Sequence, residues 1–176
     1  MNYLTFVVEY VSMKILVAAD LHGNVEYTKK LTQFFEEGRF QKMYLLGDIL
    51  RDSILLLNPY HDRIVAVKGN CDTELEEDTA LFSLPYLNFD SIDGKFTVMT
   101  HGHYYSSVSY DQPFDIFLEA HTHVSRIIRN RYGAIIANPG SIARPRDGHH
   151  SVMVIHDQDM SIIDIDTKAI LWQTQI

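Results

Sequence analysis

Ile15-Leu16-Val17-Ala18-Ala19-Asp20-Leu21-His22-Gly23-Asn24 opens as an unbroken apolar run and closes on an acid, an imidazole, a glycine and a carboxamide. An apolar run of this length without alternation suits a strand buried on both faces. Asn24 can cap the helix that follows, whose apolar Tyr27, Leu31, Phe34 and Phe35 fall on one face before Gly38 closes it. Residues Asp20 to Asn24 therefore form a strand-to-helix loop. Backbone N–H groups at such a helix start favour an anion, which makes Asn24 a candidate phosphate contact.

Four further apolar runs carry the same signature: Met43 to Leu46, Ile64 to Val67, Phe96 to Met99 and Ile116 to Leu118. Each leads into a short polar cluster. The clusters are Gly47-Asp48, Gly69-Asn70-Cys71-Asp72, His101-Gly102-His103 and His121-Thr122-His123. Ligands in layered sheet proteins gather beyond the carboxyl ends of the strands, so clusters placed in this way predict one rim bearing a shared metal centre.

Carboxylates, imidazoles and one carboxamide suit borderline divalent ions such as Mn²⁺, Fe²⁺, Zn²⁺, Co²⁺ or Ni²⁺, whereas Mg²⁺ and Ca²⁺ would want more oxygen. A structural zinc site closes with four ligands and leans on cysteine. Here the candidates exceed one ion's need and Cys71 is the only cysteine. Two ions are the better count. Bridged by a carboxylate such as Asp48, two metals sit ~3.5–4 Å apart and can activate a water while clamping both oxygens of a phosphoryl displacement. Hydrolysis of a phosphate ester is the expected use.

In this order, with Asn138-Pro139-Gly140-Ser141 behind them, these clusters resemble those of the calcineurin-like metallophosphoesterases. Cys71 after Asn70, the short chain and the Asn-Pro-Gly-Ser segment are similar to the small single-domain YfcE-like phosphodiesterases. The likeness runs from Lys14 to about Asp157. It implies one ion held by Asp20, His22, Asp48 and His123, and a second by Asp48, Asn70, His101 and His121; the four imidazoles make Mn²⁺ the favoured metal. It further implies a bridging water or hydroxide that attacks phosphorus, with Asn24 and His103 facing the substrate phosphate.

Two positions depart from the family pattern. Where larger relatives place a histidine that protonates the leaving oxygen, this chain has Cys71, whose ordinary pKa of about 8.5 suits that task less well. A catalytic role for Cys71 therefore ranks below that of a small buried residue. Ala120 stands where the family usually shows glycine, and extended backbone is expected there. Asp72 is expected to orient neighbouring groups rather than touch metal. Arg144 and Arg146 are explained as well by solvated surface as by a charge for the substrate.

A chain of 176 residues fits one domain, in which about 70% of the unfolded surface would be buried. The net charge of −8 and the absence of a basic run argue against a dedicated nucleic-acid binder. A small phosphoester remains compatible, because metal ions supply local positive charge. One cysteine fits a reducing compartment, and cytoplasm is the expected location. Residues 1–12 suit neither a signal peptide nor a membrane span and read as an N-terminal extension, with Met13 an alternative start and Tyr3 to Tyr10 an edge strand or a frayed tail. Homo-oligomers are compatible with all of this.

Beyond the clusters, a short helix is expected over Asp52 to Leu57, stopping before Asn58-Pro59, and a solvent loop over Thr73 to Asp78. Hairpins turn at Asp93-Gly94 and Tyr132-Gly133, and Ser151 to Ile155, Ser161 to Ile165 and Ala169 to Trp172 read as closing strands. The expected fold is an α/β four-layer α/β/β/α sandwich of two mixed sheets flanked by helices. Its expected activity is phosphodiester hydrolysis. The rivals are a phosphomonoesterase of the same fold and a non-catalytic binding scaffold like the retromer subunit with this fold, which lacks part of the ligand set.

Overall fold

The computed structural model describes residues 13–72 and 84–176. The expected edge strand at Tyr3 to Tyr10 and the loop at Thr73 to Asp78 lie outside these residues. In chain order the first elements are β1 (Ile15–Ala18), α1 (Val25–Glu37), β2 (Lys42–Leu45), α2 (Arg51–Leu57), a 3₁₀ helix (Asn58–Arg63) and β3 (Ile64–Ala66). Then come β4 (Leu87–Ile92), β5 (Lys95–Thr100), β6 (Ile116–Leu118), β7 (Arg126–Arg129), β8 (Ile135–Asn138), β9 (Ser151–His156), β10 (Asp159–Asp164) and β11 (Ile170–Gln175). Among the described residues, every apolar run read as a strand is one.

The strands form a six-stranded sheet, β11-β10-β9-β1-β2-β3, and a five-stranded sheet, β4-β5-β6-β8-β7. Both are mixed. β1, β2 and β3 run parallel, as do β5, β6 and β8, so each sheet sends the carboxyl ends of its parallel strands to one rim.

The lack of alternation in β1 now has its cause. Ile15 and Val17 point into the core between the sheets, beside Tyr44, Ile116 and Leu118. Leu16 and Ala18 point the other way, under Leu31 and Phe35 of α1 and Ile54 and Leu57 of α2. On the five-stranded sheet, Val98, Phe117 and Ile136 are covered by Tyr110 and Phe114. The architecture is thus two mixed sheets flanked by two helices. Both helices lie on the six-stranded sheet, and the non-helical stretch 101–115 lies over the other.

Asn24 caps α1 as expected, its Oδ1 accepting the Tyr27 N–H at 3.0 Å. α2 stops at Leu57, before Asn58-Pro59 as expected, and the chain continues as the 3₁₀ helix with Pro59 in its first turn. Proline is tolerated there since an N–H in a first turn has no helical partner to lose. Leu50, which precedes α2, has a φ of 63° and makes no side-chain cap.

Across the sandwich, Asp90 of β4 accepts hydrogen bonds from Tyr44 Oη and Lys42 Nζ of β2, each at 2.7 Å. Burial would raise the Asp90 pKa, but the bonds from Lys42 and Tyr44 outweigh it and hold the carboxyl below its ordinary 3.8. A depressed acid stabilises the fold above its unfolded pKa and ceases to do so as pH falls through the folded one. Asp90→Ala should therefore cost about 1–2 kcal/mol at pH 7, more than Tyr44→Phe, and the deficit should shrink once pH drops below 4. Urea titrations of the three proteins at pH 7 and pH 3 measure both effects.

Candidate metal centre

All seven candidate ligands sit just past strand ends on one rim: Asp20 after β1, His22 two residues on, Asp48 after β2, Asn70 after β3, His101 after β5, and His121 and His123 after β6. Five of them have left-handed backbone, with φ of 55° at Asp20, 47° at His22, 52° at Asp48, 67° at His121 and 61° at His123. Such a conformation turns the chain sharply as it leaves the sheet. Aspartate and histidine tolerate it better than most residues, so the types that can ligate a metal are also types that can make this turn. Ala120 is absent from the positive-φ residues and is buried, so its side chain is unstrained.

Two glycines allow the loops to meet. A Cβ on Gly47 would lie 2.7 Å from the Gly69 nitrogen and 2.8 Å from His101 Nδ1, and a Cβ on Gly69 would lie 2.1 Å from Asp48 Oδ1. Asp72 then ties them together. Fully buried, it accepts the N–H groups of Asp48, Ile49 and Gly69 at 2.8 Å and of Leu50 at 3.1 Å. It thereby fixes the turn leading into α2 and matches the orienting role expected of it. From β8, the Asn138 amide reaches Ala120 O at 2.9 Å and Thr122 Oγ1 at 3.1 Å, while Ser141 Oγ donates to Asp20 O at 3.0 Å. The Asn-Pro-Gly-Ser segment thus fastens the His121–His123 loop to the Asp20 loop, one from each sheet.

The side chains converge. Asp20 Oδ1 lies 3.2 Å from His123 Nε2, 3.9 Å from His22 Nε2 and 4.0 Å from His101 Nε2. Asp48 Oδ2 lies 3.7 Å from His22 Nε2 and 3.6 Å from His101 Nε2. His101 Nδ1 bonds Leu46 O at 2.7 Å, and His123 Nδ1 bonds Arg144 O at 2.6 Å. A carbonyl only accepts, so in the neutral ring each Nδ1 carries the hydrogen and each Nε2 turns a lone pair inward. Asn70 Oδ1 is 3.1 Å from His101 Nε2. His121 sets its ring edge-on to His101 with centroids 5.1 Å apart.

Both Asp20 oxygens are buried without a hydrogen-bond partner. Burial and then Asp48 push its pKa up to about 8. Burial pushes His101 down to about 4 against the pull of Asp48, so its imidazole is neutral at ordinary pH. Orphaned carboxylate oxygens facing inward imidazole lone pairs are a donor set that fits divalent cations. Three triads of ligand atoms meet that need: Asp20, His22 and His123; His22, Asp48 and Cys71; and Asp20, Asp48 and His101.

A cavity of about 360 Å³ opens over these groups, lined by His22, Asp48, Asn70, Cys71, His121, His123, Arg144 and Arg146. Cys71 is therefore half-exposed at the site, not the small buried residue expected, because its backbone N–H is drawn to Asp48 Oδ1 at 2.8 Å. Burial and the bond to Asp48 raise its thiol to about 11. The two arginines face the site as well, a placement their sequence left open. His103 and Asn24 lie outside the cavity lining. His103 packs 5.3 Å from the His101 ring and keeps a buried, unpartnered Nδ1.

In metal-free protein the folded state keeps a proton on Asp20 up to about pH 8, whereas the unfolded chain releases it near 3.8. Below pH 6.5 the depressed His101 works in the opposite sense, because the unfolded state then binds the extra proton. Between pH 6.5 and 8, chelated protein should lose stability as pH rises, and Asp20→Asn should remove that slope. Thermal melts in chelator across this window decide it.

A model of the calcineurin-like phosphoesterase superfamily domain matches residues 13–161. The chain is 26% identical to phosphodiesterase YfcE of Escherichia coli strain K12 over 183 residues, which cover 93% of this chain and 98% of that protein. The solved structure of YfcE, a phosphoesterase from E. coli, superposes with a TM-score of 0.86 at 24% identity, covering 93% of this chain and all of that one. Vacuolar Protein Sorting 29 from Cryptosporidium parvum shares the fold at a TM-score of 0.69 and 15% identity, over 94% of this chain and 98% of its own. With its domain matched from β1 into β10, the chain belongs to the calcineurin-like phosphoesterase superfamily.

Proposed function

We propose that this protein is a metal-dependent phosphodiesterase. The observation that carries the proposal is the position of Asp48, whose Oδ2 stands 3.7 Å from His22 Nε2 and 3.6 Å from His101 Nε2, between two groups of ligand atoms. Asp20, His22, Asp48 and His123 would hold one divalent ion, and Asp48, Asn70, His101 and His121 a second. Bound there, two ions acidify a shared water and neutralise charge on the phosphoryl oxygens. The four imidazoles favour Mn²⁺ over Mg²⁺.

The protein's own groups do the rest. Carbonyl bonds from Leu46 and Arg144 fix the tautomers of His101 and His123, and Asp72 fixes the loop that presents Asp48. His103, whose pKa burial lowers, is a neutral imidazole available to touch a substrate oxygen. The Asn24 oxygen is committed to the helix cap, which leaves its amide N–H₂ for a phosphate. Cys71 is a neutral thiol that supplies no charge. A dianionic monoester gains most from a cation at that place, so the diester is favoured. The name of the YfcE relative points the same way.

A non-catalytic scaffold is disfavoured because all seven ligand positions are filled and brought to one rim. No helix among the described residues is long and apolar enough to cross a membrane, and a small phosphoester is the proposed partner. Cytoplasm, as the setting for a lone thiol beside a metal site, belongs to the same proposal.

Chelated protein should be inert and should recover with Mn²⁺ better than with Mg²⁺. Asp48→Asn should abolish nearly all turnover together with the binding of both ions, while His103→Ala should keep its metal and turn over more slowly. Metal analysis beside hydrolysis of bis(p-nitrophenyl) phosphate separates these cases, and full activity after chelation would falsify the two-ion mechanism. Wild-type protein should cleave that diester faster than p-nitrophenyl phosphate, and Cys71→His should shift preference toward the monoester. An unchanged ratio in Cys71→His would assign the preference to other parts of the rim.

A further inference from the structure

Several cations of this acidic chain are paired with carboxylates: Lys30 with Glu26 and Asp166, Lys42 with Asp90, Arg63 with Glu36 and Arg126 with Glu119. Arg144 and Arg146 differ. Both line the cavity beside His22 and His123, and among the described residues neither guanidinium meets a carboxylate, although the net charge is −8. Arg146 feels the charge of buried Asp20, yet two guanidinium groups without a close ion-pair partner at the mouth of a site attract an anion.

Their placement is built into the site. The Arg144 N–H donates to Ser141 Oγ at 2.8 Å, its carbonyl accepts from His123 Nδ1 at 2.6 Å, and the Arg146 N–H donates to His123 O at 2.9 Å. All three bonds use backbone atoms of the arginines, so truncating either side chain leaves the anchoring intact. Both arginines line the cavity with His22 and His123, and Arg144 is near enough to His22 and Cys71 for its charge to act on them. On the phosphodiesterase reading the scissile phosphoryl group lies over Asp48, at the centre, where bound ions would supply positive charge. A substrate arm extending from there across His123 would come within reach of the two arginines.

Building on the phosphodiesterase reading, we infer that Arg144 and Arg146 form a subsite for a second anionic group on one arm of the diester. The substrate class is then a diester with a phosphorylated arm, such as a nucleotide bearing a further phosphate. Guanidinium groups bind phosphate through paired hydrogen bonds, and two of them two residues apart can share one such group.

The test compares two substrates with the same scissile bond: thymidine 5′-(p-nitrophenyl phosphate) with and without a 3′-phosphate. In Mn²⁺-loaded wild-type protein, kcat/KM should be about tenfold higher for the 3′-phosphorylated ester, a gain of the size charge-assisted hydrogen bonds give. The double variant Arg144→Ala and Arg146→Ala should bring that ratio close to one, and the corresponding double lysine variant should keep part of it. Calorimetry of thymidine 3′,5′-bisphosphate against thymidine 5′-monophosphate supplies a readout independent of turnover. Cleavage of both esters with equal kcat/KM overturns the subsite and leaves the phosphodiesterase reading standing. Arginine-dependent preference for the bisphosphate without any cleavage does the reverse. Neither cleavage nor preferential binding overturns both.

Discussion

Burial of Asp20 beside Asp48, with both Asp20 oxygens lacking a hydrogen-bond donor, is the constraint around which this rim is organised. A carboxylate withdrawn from water without a partner is costly, and the protein has donors within reach that it directs elsewhere. His101 and His123 spend their Nδ1 hydrogens on carbonyl oxygens and turn bare nitrogens inward. Asp72 collects four backbone N–H groups from the loops that carry Asp48 and Asn70. The centre is left rich in acceptors, a composition that makes physical sense for a place meant to hold positive charge.

The two-sheet architecture makes such a centre available. Parallel strands deliver their polar ends to one rim, and packing two sheets together brings Asp20, Asp48 and Asn70 from one against His101, His121 and His123 from the other. The inner faces supply adhesion through Val17, Tyr44, Ile116 and Leu118. Hydrogen bonds between loops supply alignment, chiefly through Asn138 and Ser141. Loss of core packing would loosen the sandwich, whereas loss of either polar residue would let the two halves of the site drift while the core stayed closed.

The strands around the site were legible because strands buried on both faces need continuous apolar runs, and Ile15 to Ala19 and Ile116 to Leu118 have them. The ligand residues were legible because aspartate, histidine and asparagine recur where those runs end. Local signals could not report what depends on three-dimensional closure. Nothing about Asp20 or His123 announces a left-handed backbone, and nothing about Cys71 announces that its N–H bonds Asp48 Oδ1. Arg144 and Arg146 read equally as surface or as site, since sequence does not say on which side of a turn a long side chain falls. The 3₁₀ helix through Pro59 was missed for a similar reason. A proline that ends an α-helix is also well suited to open a tighter one.

The bonds that shape the ligand loops, from Asp72, Asn138, Ser141 and the two carbonyl oxygens, are all made within the polypeptide. The rim therefore takes its shape from the chain's own bonds. Holding two ions as proposed, such a protein would have no need to meet them during synthesis, and a pool of it could outlast a period of scarcity and resume work when supply returns. The working fraction in a cell would then follow the traffic in divalent ions as closely as it follows the rate at which new chains are made.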